Sequence, residues 1–122
     1  MRAIVVRRTG TRFARDDHRA YNRRGESFDV GETFSGVEFE TGLDAVDELR
    51  PLVPEDATLA QLALRWILDF DAVSTTIPGA KTPAQVRANA AAAELTPLPP
   101  ATHDAIADVY LRRIAPQVHQ RW

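Results

Sequence analysis

Apolar positions follow helical spacing in three stretches of this chain and crowd together, strand-like, in one. From Val37 onward, Gly42, Leu43, Val46, Leu49, Leu52 and Val53 are spaced by threes and fours, which predicts a helix ended by Pro51 and Pro54. Leu59, Leu62, Ala63, Trp66, Ile67 and Phe70 form one apolar stripe and predict a helix over about residues 59–70. Thr58 and Gln61 stand before it as a T-x-x-Q capping box, in which a hydroxyl and an amide satisfy backbone groups that the helix leaves open. Residues 73–77 read VSTTI, β-branched except for Ser74, and predict a strand that Pro78 and Gly79 stop. Thr82 is a good N-cap and Pro83 falls at the first helical position, so a helix is expected from there to about Ala93. After the link TPLPP, the stripe Ile106, Val109, Tyr110 and Ile114 predicts a last helix over about residues 100–114. The tail APQVHQRW is read as irregular.

The order is helix, helix, strand, helix, helix. One strand makes no sheet, and β-branched residues of this kind want cover on both faces, as in a parallel barrel. The pattern therefore implies neighbours supplied by another chain or another segment. Residues 3–6, AIVV, read as a short strand or a remnant, and residues 7–36 show no apolar period. Two regions are expected: a basic and polar loop region over 1–36, and a packed region over 37–122. There is no internal repeat.

Composition narrows the function classes. A chain of 122 residues supports one domain with a modest core. It has no apolar run long enough to span a bilayer and no signal-peptide pattern. Without cysteine it has neither a disulfide framework nor thiolate chemistry, and a cytoplasmic location is expected. A net charge of -2 argues against nucleic acid as the main partner. Residues 2–24 do hold eight arginines against two aspartates, but no aromatic residues interleave them in an RNA-binding motif, and a solvated loop is the plainer reading. Lysine occurs once, at Lys81, against fourteen arginines, so a tunable amine exists only there and at the N-terminus.

Lys81 lies in the most informative segment, VSTTIPGAKTPAQVRAN, over residues 73–89. A helix N-terminus presents free N–H groups and partial positive charge, which suits an anion. Here it follows the strand end through Gly79, which lets backbone approach a ligand closely, and Lys81 adds a full charge. Gln85 and Asn89 are one turn apart on one helix face, where Gln85 reaches a phosphate or ribose oxygen and Asn89 an adenine edge. Each residue also has a plainer reading: Gln85 completes a second capping box, Asn89 meets water, Lys81 is a loop charge, and Gly79 serves a turn.

The segment IPGAKTPAQVRAN resembles, position for position, the nucleotide-phosphate segment of the aldo/keto reductase family. The resemblance implies that Gly79, Ala80 and Lys81 meet the 2′-phosphate end of NADP(H), and that Gln85 and Asn89 complete the adenosine contacts. ALRWIL, over residues 63–68, is similar to the family's preceding helix. DDHRAYNRRGESFDVGETFSGV, over 16–37, and the tail IAPQVHQRW resemble one bacterial branch. The likeness covers about residues 12–122 and is poor over 1–11. The fold it implies is α/β: the C-terminal fragment of a (β/α)8 TIM barrel, mostly helical with one clear strand. A whole barrel needs roughly 250 residues.

The family's chemistry, as the resemblance implies it, is hydride transfer from nicotinamide to a carbonyl carbon, with a Tyr proton donor supported by Lys, Asp and usually His. Those residues belong to the first half of the barrel. Tyr21 and Tyr110 lie outside that motif and Lys81 belongs to the phosphate segment, so no catalytic residue is carried over. Asp16, Asp17 and His18 are adjacent, and adjacent residues seldom face one ion, so no metal site is expected. His103 and His119 read as surface residues, and Trp66 as core. Three functions compete. The first is a truncated NADP-dependent aldo/keto reductase with weak or vestigial affinity for NADP(H) and little activity alone. The second is half of a split enzyme completed by an N-terminal half-barrel chain. The third is a non-enzymatic helical interaction module. Open barrel edges also favour self-association.

Overall fold

A computed structural model describes residues 13–22, 34 and 36–121. The α-helices are α1 (His18–Tyr21), α2 (Phe39–Leu49), α3 (Leu59–Leu68), α4 (Pro83–Ala91), α5 (Pro100–Val109) and α6 (Ala115–Val118). The described residues fall into two compact units, one formed by Leu52–Ala105, the other by the described residues of Ile4–Pro51 and Ile106–Trp122, so that the division runs through α5.

In the first unit, α3 begins as its sequence requires. The Thr58 N–H donates to Gln61 Oε1 at 2.9 Å, and the Gln61 N–H donates to Thr58 Oγ1 at 3.2 Å. Both halves of the capping box are thus present. The helix ends at Leu68 and not at 70: Asp69 is its C-cap, and the Phe70 N–H turns to Ile67 O, three residues back, at 3.4 Å. α3 packs on α4 and on the turn Ala92–Glu94. Gln61 Nε2 also donates to Ala88 O at 3.1 Å, tying the start of α3 to the end of α4. Leu62, Leu64, Ala92 and Leu98 are the buried residues of this unit.

The strand expected over residues 73–77 is not formed. Among the described residues there is no strand at all. The Val73 N–H donates back to Phe70 O at 2.8 Å, in a turn, and the backbone groups of residues 74–77 have no partner among the described residues. β-propensity registers a fit to neighbouring strands, and here no neighbour is present to supply the ladder. Ile77 is consequently 93% exposed.

In the second unit, a turn leads into α2. The Val37 N–H donates to Phe34 O at 3.1 Å, and Gly36 takes the positive φ of 83° that a residue with a Cβ would resist. Phe34 lies 5.0 Å from Phe39 between ring centroids, and Phe13 lies 6.1 Å from Phe39. Phe34, Leu43, Ala45, Val109 and Val118 are buried, with Asn22. Glu38 gives α2 no side-chain cap. Gln117 supplies one from elsewhere: its Oε1 accepts from Glu38 N at 2.7 Å and its Nε2 donates to Thr41 Oγ1 at 3.1 Å.

The last helix differs from expectation beyond Val109. Tyr110–Ile114 is π-helical, and α6 then carries the chain to Val118 before a 3-10 turn at His119–Arg121. The tail read as irregular is therefore helical through Arg121. Arg112 Nη2 and Arg113 Nε meet the two oxygens of Glu48 at 2.6 and 2.7 Å. Hydrogen bonds from Arg112 and then Arg113 hold the Glu48 carboxyl below its ordinary pKa. The expectations for residues 3–6, for most of the 7–36 loop and for Trp122 lie outside the described residues.

Candidate functional site

Thr82 and Pro83 fix the start of α4. Thr82 is extended, with φ -136° and ψ 152°, and its Oγ1 accepts from Gln85 N at 3.2 Å. Pro83 at the first helical position donates nothing where no partner is needed. A surface concavity of about 450 Å³ opens at this end, lined by Ala80, Lys81, Thr82, Pro83, Val86 and Arg87. Its lining holds two cations and no carboxylate. The N–H groups of Thr82 and Ala84 have no partner among the described residues. Cationic side chains, free amides and the positive end of a helix dipole in one place suit a phosphate.

The five residues singled out from the sequence divide into two groups. Ala80 and Lys81 line the concavity. Gly79 adjoins it in the chain, and a Cβ added there would meet nothing within 4 Å, so the packing of this chain does not require glycine. Gln85 and Asn89 turn back onto the loop. Gln85 Oε1 accepts from Lys81 N at 2.7 Å, and Asn89 Nδ2 donates to Gly79 O at 3.4 Å. Gln85 does not close a second capping box, since its amide reaches Lys81 N, one residue before Thr82. Both side chains brace the backbone that carries Lys81.

Sequence reasoning missed Arg87. The signal was there: Pro83, Val86 and Arg87 stand at i, i+3 and i+4 and share one face of α4, next to the face of Gln85 and Asn89.

A second cluster in the same unit is polar and half-buried. Asp69 Oδ1 accepts from Arg65 Nε at 2.9 Å, while Oδ2 accepts from Leu98 N at 2.9 Å and lies 3.1 Å from His103 Nε2. Arg65 Nη1 also donates to Ala93 O at 3.2 Å. Burial opposes the Asp69 charge, but the Leu98 N–H, His103 and Arg65 outweigh it and lower the carboxyl pKa. His103 is thus part of a network, not the surface residue expected. Trp66 meets Phe70 edge-on at 4.9 Å, and Phe70 meets His103 at 5.9 Å. This cluster joins α3, the Leu98 link and α5, and no buried side-chain polar atom in it lacks a partner. It reads as structural. Among the described residues, no three His, Asp or Glu gather in a way that could hold a metal. No helix among them is long and apolar enough to cross a membrane.

A sequence model of the aldo/keto reductase family matches residues 7–111. The match begins within the stretch where the sequence likeness was poor and ends before the tail. No curated protein and no solved structure matches the chain.

Proposed function

This chain belongs to the aldo/keto reductase family, and on that premise we propose that it holds the C-terminal, nucleotide-phosphate-binding part of an NADP-dependent reductase of the (β/α)8 barrel type. The observation that carries the reading is that Lys81, just before α4, and Arg87, in its middle, line one concavity with no acidic lining.

Lys81 is the group for the 2′-phosphate, with Gly79 and Ala80 giving backbone access. Gln85 and Asn89 hold the loop in shape and are the residues proposed for the adenosine contacts. The bound dinucleotide would supply the hydride; the residues here bind and orient its phosphate end only. Affinity is weak, because the phosphate end alone must offset the loss of ligand freedom. The chain has little or no reductase activity by itself, since its tyrosines, Tyr21 and Tyr110, lie outside the family's catalytic motif.

Titration of the whole chain with NADP⁺ and NAD⁺ tests this. A charged hydrogen bond is worth about 1.5–3 kcal/mol, so Lys81→Ala should weaken NADP⁺ binding by roughly 10- to 100-fold and leave NAD⁺ binding nearly unchanged. Equal losses for the two would remove the 2′-phosphate role. A helical interaction module, the competing reading, would give no measurable affinity for either dinucleotide while remaining folded.

A further inference from the structure

Lys81 is the only lysine of the chain. It is exposed and shares one concavity with Arg87, which is exposed as well. No carboxylate lines that concavity, and neither cationic side chain has an ion-pair partner among the described residues. We propose that Lys81 is a site of covalent modification: its Nζ takes an acyl group from an acyl phosphate, and the transfer regulates anion binding at the same place.

The pairing of an amine with a second cation selects the donor. A guanidinium without a counter-charge holds phosphoryl oxygens well. Acyl donors differ in how far the reacting carbon lies from a phosphate. In a thioester of a nucleotide carrier a long arm separates the two, so an anion held beside the amine brings nothing reactive to it. In an acyl phosphate a single oxygen joins the carbonyl carbon to phosphorus. Phosphate held by Arg87 therefore carries the carbonyl into the concavity that Lys81 lines. Pro83 and Val86, the latter 56% exposed, give the acyl chain an apolar wall.

The backbone around the amine is braced. The Lys81 N–H donates to Gln85 Oε1 at 2.7 Å, and Asn89 Nδ2 donates to Gly79 O at 3.4 Å. A loop fixed in this way leaves less freedom to be lost when amine and carbonyl meet. In the step itself the neutral Lys81 amine attacks the carbonyl carbon. A C–N bond forms and the C–O bond to the phosphoryl group breaks. Inorganic phosphate leaves with the electron pair, and the proton of the amine passes to water. Neither an oxidant nor a reductant is needed.

The product is a neutral amide, so the concavity keeps only the Arg87 charge. Acylation thereby acts on the anion site as Lys81→Ala does, without a change of sequence. The loss of cofactor binding rests on the proposed nucleotide role; the acylation itself needs only the two cations.

The whole chain is incubated with acetyl phosphate in the presence of Nα-acetyl-lysine amide as an unstructured reference amine, and acetylation is read by mass and peptide mapping. Lys81 is expected to react roughly tenfold faster than the reference or more, the worth of one charged hydrogen bond to the phosphate. Excess inorganic sulfate should remove that advantage, and so should Arg87→Gln, with its fold checked by circular dichroism. With p-nitrophenyl acetate, which carries no phosphate, Lys81 should react like the reference. Equal rates with acetyl phosphate overturn the inference. So does an advantage of the same size with p-nitrophenyl acetate, or one that survives Arg87→Gln. Titration with NADP⁺ before and after acetylation keeps the two readings apart. Binding that acetylation abolishes supports the regulation, and binding that persists on the acetylated chain overturns it. No binding to the unmodified chain, with the advantage of Lys81 intact, removes the nucleotide role and leaves the modification site standing.

Discussion

Asp69→Ala is expected to cost the first unit about 3 kcal/mol, the loss typical of removing one partner from a buried charge pair. The carboxylate has only 6% of its side chain exposed and serves three partners at once: Arg65 in α3, the Leu98 N–H, and His103 in α5. Alanine leaves the Leu98 donor without its acceptor and deprives Arg65 of its counter-charge. Urea unfolding at fixed protein concentration measures the effect, since self-association would otherwise change apparent stability. A loss below about 1 kcal/mol would place the cluster among surface pairs of little worth. A pH dependence follows from the same geometry. The folded-state pKa of Asp69 is lowered, so its contribution is fully present above the ordinary carboxylate value and is lost as pH falls through the lowered one. Wild-type stability should therefore drop on acidification below the ordinary range, and Asp69→Ala should flatten that part of the profile.

Leu62→Ala is expected to cost a similar amount, about 2–5 kcal/mol. Leu62 is 2% exposed in α3, the helix that packs on α4 and on the turn Ala92–Glu94. With Leu64, Ala92 and Leu98 it makes up the small apolar interior of that unit. A core of so few side chains has no reserve to fill the cavity, so the cost should lie toward the upper part of the range. Thermal unfolding followed by circular dichroism measures it. Leu62→Met, which keeps volume, should cost less than about 1.5 kcal/mol. Equal losses for alanine and methionine would show that shape and not cavity volume sets the penalty.

What the sequence made legible was local. The Thr58–Gln61 box, the Thr82 cap and Pro83 act within three residues, and all are where their chemistry puts them. What it hid was set at longer range. The run over 73–77 needs neighbours to become a strand, and no residue inside the run reports whether they are present. His103 meets Asp69 across 34 positions, a distance no short motif spans. The tail was hidden by Pro116. A proline ring clashes with the carbonyl four residues back in an unbroken α-helix. The π-helical segment Tyr110–Ile114 shifts that register, with the Ala115 N–H reaching Tyr110 O, and helix resumes with the proline in its first turn. At the candidate site, Lys81 could be read from its charge and place. The inward turn of Gln85 and Asn89 could not, because each amide has a nearby backbone partner that competes with any ligand.

The clasp of Glu48 by Arg112 and Arg113 sets an order of events in synthesis. Its partners lie 64 and 65 positions apart, and the Gln117 cap on Glu38 lies 79 apart. When α2 leaves the ribosome, the residues that cover and cap it have not been made. At about 5–20 residues per second that interval lasts on the order of seconds, while a helix forms or melts in about a microsecond. The nascent α2 therefore waits with its apolar face bare, and Leu43 and Ala45 are open to chaperones until the last turns of the chain arrive.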